Sequence, residues 1–247
     1  MKYIVLFLML TAGGLFAQTQ PHNKEAVYSF GGALAHFLDG DGWKTTFTLV
    51  NLDPTQASFT LSFLGDNGNP QAFTINGASV TTITGTIAGR GTVILTTPGT
   101  KTGLSQGWVK MDSYNTIGGT AVFQRLGQNL EASEVLDTNL STQLAVPFDH
   151  TNGYATGVAL VNPFSYTGAT ITVTFRDESG NSFLTDSFTM AAQQHMGITL
   201  TRRYPSTIGR RGTVSYQTDQ LWLNVLGFRF SPSGVFSTVT AMSALFW

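Results

Sequence analysis

The chain of 247 residues contains no cysteine. That absence excludes a disulfide framework, thiolate metal ligation and lipid attachment through an N-terminal cysteine. Only 11% of residues are charged and the formal net charge is −1. So near neutrality, no attraction to nucleic acid or to an anionic membrane is written into the chain. Beyond its N-terminal stretch the sequence has no apolar run long enough to cross a bilayer as a helix, so no transmembrane helix is expected in the mature chain. Amphipathic helices longer than a turn or two are also missing; Thr201-Arg202-Arg203-Tyr204, ahead of Pro205, is a short candidate. Stability must come from apolar burial and backbone pairing.

What the chain does have is threonine in abundance, 27 glycines and 18 phenylalanines, a makeup suited to half-buried strands joined by tight turns. It opens MKYIVLFLMLTAGGLFAQTQ, with Lys2, an apolar run from Tyr3 to about Phe16, and small residues before a polar stretch. This is the pattern of an export signal, with cleavage expected after Ala17 and a secreted or extracytoplasmic location, in the periplasm or at the cell surface.

The rest is written twice. GWKTTFTLVN (42–51) lies over GYATGVALVN (153–162), FLGDNGN (63–69) over FRDESGN (175–181), and QGWVKMDS (106–113) over RGTVSYQT (211–218). The offset between copies changes only between these blocks, as insertions in loops would produce. Within blocks the apolar residues alternate. Trp43, Phe47 and Leu49 take one face while Thr46 and Thr48 take the other, and Phe59, Leu61 and Phe63 reappear as Ile171, Val173 and Phe175. The Asn-Gly and Ser-Gly turns fit hairpins. The fold class expected is all-β: two tandem antiparallel β-sandwich domains, immunoglobulin-like in architecture, over residues 28–138 and 143–247. A signal (1–17) and an extension (18–27) precede them, and a short linker near Asn139–Gln143 separates them.

The repeated blocks, together with GYATGVALVNP and GRRGTV, resemble a group of uncharacterised secreted bacterial proteins built from a duplicated immunoglobulin-like β-sandwich unit. The resemblance implies the paired fold and export. It supplies no activity, ligand or catalytic residue.

GLSQG (103–107) fits the Gly-x-Ser-x-Gly pattern, but Ser105 follows a loop and precedes a strand, the inverse of a nucleophile elbow, and Arg210 replaces it in the second copy. Asp39-Gly40-Asp41-Gly42 has oxygen ligands and curvature for a structural calcium through Asp39 and Asp41, against a glycine-rich hairpin; no other cofactor is expected. Glu131 and Glu134, three apart on a strand, face opposite ways and do not bracket a glycosidic bond. His22, His36, His150 and His195 show no metal-ligand spacing and read as surface or strand-end residues. Trp108 is out of phase with Val109 and Met111 and is expected to face solvent, where it would stack on a sugar or anchor a partner, unless a loop or the other half covers it. Arg210 and Arg211, with Arg202 and Arg203, form the local basic cluster. The chemistry points to an exported, non-enzymatic structural, adhesive or binding module whose partner is a surface glycan or another exported protein. Two alternatives stay open: a carbohydrate-binding protein using Trp108, Arg210 and Arg211, and an outer-membrane β-barrel ending in FSTVTAMSALFW.

Overall fold

The computed structural model describes residues 31–139 and 141–243; the expected signal and His22 lie outside them. The first half contains β1 (Gly32–Asp39), β2 (Trp43–Asn51), β3 (Ala57–Leu64), a hairpin of β4 (Phe73–Ile75) and β5 (Ala78–Val80), β6 (Thr82–Ile87), β7 (Thr92–Thr96), β8 (Ser105–Asp112), β9 (Ile117–Arg125) and β10 (Leu130–Val135). The second contains β11 (Gln143–Asp149), β12 (Ala155–Val161), β13 (Ala169–Arg176), β14 (Ser182–Met190), β15 (His195–Thr199), β16 (Arg211–Thr218), β17 (Asn224–Phe230), β18 (Phe236–Thr240) and β19 (Met242–Ser243). One helical turn, α1 (Leu200–Arg203), falls where the Thr-Arg-Arg-Tyr stretch predicts it. No helix among the described residues is long and apolar enough to cross a membrane.

In the first half a back sheet runs β1-β8-β3-β6 and a front sheet runs β10-β9-β2-β7. The second half has the same order, β11-β16-β13-β14 behind and β18-β17-β12-β15 in front, with β19 added beside β11. All strand pairs are antiparallel, and no sheet among the described residues closes into a barrel. Packed sheets are as expected; the connectivity is the molecule's own. Discounting the hairpin, the first strand of each half pairs with the sixth, where an immunoglobulin sheet places first beside second.

Alternation explains the packing. Phe47 and Leu49 of β2 meet Phe37 and Phe63 across the sandwich, with ring centroids of Phe37–Phe47 at 5.7 Å and Phe47–Phe63 at 5.9 Å. Thr46 and Thr48 stay on the outer face, where Thr46 Oγ1 lies 3.2 Å from Thr96 Oγ1. In the second half Val158 and Leu160 pack on Ile171, Val173 and Phe175. The change of offset between copies is partly the β4–β5 hairpin, which adds Phe73 to the core and covers the edge of β7: Thr96 N donates to Asn76 Oδ1 at 2.9 Å.

Three strands break the alternation. GALAHF in β1, ATGVALV in β12 and NVLGF in β17 are buried on both faces. A strand apolar on both faces needs a cover on each side. The outer face of the second front sheet supplies Ala159, Val161, Leu226 and Phe228 to the same core cluster as Leu34, Ala35 and Phe123 of the first half. The core of the first half therefore extends onto the outer face of the second, whose own core lies between its two sheets. Phe228 → Ala should cost about 3–5 kcal/mol. Urea unfolding followed by circular dichroism and by tryptophan fluorescence should give one coincident transition for both chains. Two separate transitions in the unmutated chain would contradict a shared core.

Candidate functional site

The junction between the halves is organised by a bulge. The pairing of β1 with β8 slips between Leu34 and Phe37, which turns the consecutive N–H groups of Ala35 and His36 to the same side. Both donate to the buried carboxylate of Glu134 on β10, the His36 bond being 3.1 Å. Beside them the main chains of Ala33 and Asp137 exchange two hydrogen bonds of 2.9 Å. Glu134 thus completes a ladder that the bulge would leave open. Burial pushes its carboxyl up to about 8, against the two N–H donors, which lower it; Asp137 nearby adds to the rise.

His36 sits on the other side of the same bulge, between Phe123 and Phe228 at 5.9 Å and 5.4 Å, both edge-on. Its ring stacks on His195 of the second half at 5.3 Å, with Nδ1 3.3 Å from His195 Nε2. The opposite nitrogen of His195, Nδ1, lies 2.8 Å from Asp66 Oδ1. Asp66 belongs to the FLGDNGN turn and also accepts from Gln106 Nε2 at 2.9 Å. That hydrogen bond from His195 is the main reason the Asp66 carboxyl falls below its usual range. Burial, helped by His195, lowers His36 to about 3. The turn is built for close approach: Gly68 has φ +79°, and a Cβ there would stand 2.8 Å from Ala192 O.

Above His36 a cleft of about 260 Å³ opens over the outer face of the second front sheet. Its floor is made of small residues, with the Phe230 ring over Gly157, where a Cβ would stand 3.0 Å from Cε2, and Ala159 buried. Gly157 and Ala159 of β12 lie beside Thr199 and Gly197 of β15, and a Cβ on Gly197 would meet nothing within 4 Å. The first-half counterparts, Thr46, Thr48 and Ile94, carry larger side chains. Trp43, Phe230 and Phe236 wall the mouth, with Trp43–Phe236 at 5.4 Å and Phe230–Phe236 at 6.0 Å. Among the described residues no Asp, Glu, Lys or Arg lines it. His36 Nε2 has no partner among the described residues, and unlike His150 Nε2 it is not sealed from solvent. A second cavity, about 600 Å³, lies between β10 and β18 and includes Glu134 and Asp137. There Asp137 accepts from Asn139 N and Asn224 Nδ2, each at 2.9 Å.

Several sequence expectations need correction. Trp108 does point away from Val109 and Met111, but that face is covered by the turn before β15, so the indole is fully buried and Nε1 donates to Gln193 O at 2.9 Å. An indole without exposure cannot stack on a sugar. Arg210 and Arg211 lie elsewhere, ahead of and at the start of β16. Arg210 sits 4.5 Å over the Phe183 ring, and Arg211 pairs with Glu178 at 2.9 Å on the surface. Histidines 36, 150 and 195 are buried rather than superficial, although His150 and His195 do stand at strand ends. Asp39 and Asp41 each turn an oxygen to a backbone N–H, of Gly99 at 3.0 Å and Gly103 at 2.7 Å, latching one loop to another. No group of three or more His, Asp or Glu side chains suited to a metal ion occurs among the described residues. Ser105 begins β8 and accepts from Lys101 Nζ at 2.9 Å, so it sits at the start of a strand as its context implies.

No protein-family model matches the chain, and no curated protein matches it.

The two buried groups give opposed pH dependences. Glu134 rises on folding from 4.5 to about 8, so its contribution is full below 4.5 and is lost as pH climbs to 8. His36 falls from 6.5 to about 3, so its contribution is full above 6.5 and is lost as pH drops to 3. Their slopes, each at most about 1.4 kcal/mol per pH unit, offset one another between 4.5 and 6.5. Urea midpoints should therefore decline above pH 6.5 in the unmutated chain but stay level in Glu134 → Gln, whatever that variant's overall loss. An equal decline in both would show that Glu134 is not the group responsible.

Proposed function

We propose that this protein is an exported, non-enzymatic binding module, a duplicated β-sandwich whose halves act as one body and present the cleft between them. The observation that carries the reading is the use made of the buried ionisable groups. Glu134 holds two N–H groups of β1, Asp66 holds His195, and His195 holds His36. The first closes a strand within the first half, and the other two join the halves. In the cleft itself a single imidazole nitrogen faces no carboxyl, amine or thiol, and the one hydroxyl residue lining it, Thr199, has no base hydrogen-bonded to it among the described residues. Such a lining supports recognition better than bond cleavage.

Export rests on the Lys2, apolar-run and Ala17 pattern, and duplication rests on the matched sequence blocks and the shared strand order. The resemblance to secreted bacterial proteins of paired sandwich units agrees with both. The test is fractionation of the native host with mass spectrometry of the recovered chain. The expected species begins at Gln18 and is found in the periplasm, at the surface or in the medium. An uncut chain retained in the cytoplasm would overturn the export reading. Recovery only in a detergent-requiring outer-membrane fraction would return attention to membrane insertion.

A further inference from the structure

We propose that β6 is a docking edge for a second copy of this chain. The two β6 strands pair antiparallel about a two-fold axis at Thr84 and join the back sheets of two first halves. This inference goes beyond the binding-module reading and stands on different residues.

An edge strand carries a row of main-chain N–H and C=O groups that another strand can take, and proteins guard such rows. The other edges among the described residues are guarded. Glu134 and Asp137 close β1. β11 carries Pro147 and receives β19. Asn76 caps β7 from the hairpin, β10 and β18 meet through Thr238 Oγ1 and Ser133 O at 2.6 Å, and β15 gives the N–H of His195 to Asp66 O at 3.1 Å. β14, the counterpart of β6 in the second half, turns a charge inward. Its Asp186 lies opposite buried Val173, and Tyr204 Oη donates to it at 3.0 Å. β6 has none of these devices. It pairs with β3 alone, and no charged residue occurs between Asp66 and Arg90.

The ladder with β3 decides which groups of β6 face outward. Phe63 N donates to Thr81 O at 2.9 Å, so the main chain of Thr81 faces β3, and in an antiparallel ladder Ile83 and Gly85 do the same. The N–H and C=O groups of Thr82, Thr84 and Thr86 therefore point away from β3, and these threonines are exposed. Among the described residues nothing bonds to those main-chain groups.

Two such edges complement each other. With the axis at Thr84, Thr84 meets Thr84 of the copy and Thr82 meets Thr86 of the copy, so every outward donor finds an outward acceptor. Their side chains would stand opposite one another as Thr60 and Thr84 already do, with Oγ1 atoms 3.3 Å apart. Ile83 falls opposite Gly85 of the copy, in the closer kind of pair, where a large side chain beside none avoids a collision. Ile83 is half-buried in the single chain and would be covered. No charge opposes the contact. A strand of 6 residues buries little area, which places the dimer in the weak, reversible class.

The test is amide hydrogen exchange of the full mature chain at about 10 μM and about 1 mM, with sedimentation equilibrium over the same range. Expected is a mass that rises toward twice that of one chain, and slower exchange at Thr82, Thr84 and Thr86 in the concentrated sample. Ile83 and Gly85, bonded to β3 throughout, should not change. Thr84 → Lys and Thr84 → Glu sit on an exposed position and should keep the melting temperature. Each alone should give a single-chain mass, because like charges would face each other at the axis. Mixing the two variants should restore the doubled mass. A single-chain mass throughout, doubling without protection of the threonine amides, doubling that survives Thr84 → Lys, or a mixture that stays monomeric would each overturn the pairing.

Discussion

The structure turns on how β1 is closed. It is an edge strand of its own sheet, paired with β8 on one side only, and its bulge exposes two N–H groups on the other. Left without acceptors in a buried place, each would cost about 1–3 kcal/mol. The Glu134 carboxylate takes both, the Asp137 main chain takes Ala33, and the front sheet of the second half covers the face that remains. Three parts of the chain far apart in sequence thus meet on one strand.

The cleft is a by-product of the same packing. Val161, Leu226 and Phe228 press against β1, whereas further along the same sheet Gly157 and Gly197 leave space that Leu38 and Trp43 border. The chain from Asp66 through His195 to His36 runs along one side of that opening. Changing the turn at Gly68 would disturb both at once, because its close approach to Ala192 seats Asp66 against His195.

Much of the fold could be read from residue order alone. Period-two alternation in TTFTLV and ITVTF placed the strands, the Asn-Gly and Ser-Gly turns placed the hairpins, and the paired blocks anticipated the matching strand order. The junction was harder to see. Its sequence trace is a loss of alternation in GALAHF, ATGVALV and NVLGF, where a polar residue should follow each apolar one. Comparing the copies sharpens it: Thr46 and Thr48 become Gly157 and Ala159, which marks the second face as covered. Trp108 was misread for the same reason, since phase tells which face a side chain takes and not what lies over that face. The pairing of His36 with His195 joins residues with no local spacing rule between them, and only the packing of the two halves brings them together.

The contact between the halves is also one-directional. It sets the face of one sheet against an edge strand of another, so the two surfaces involved are different rather than matched. Contacts of that kind, when a unit carries both surfaces free, pass from copy to copy and build filaments. Here the first half carries Thr46, Thr48 and Thr96 on the sheet face where the second half carries Gly157, Ala159 and Thr199. Within this chain the edge of β1 and the outer face of the second front sheet already engage each other, so neither is left free to pass the contact on.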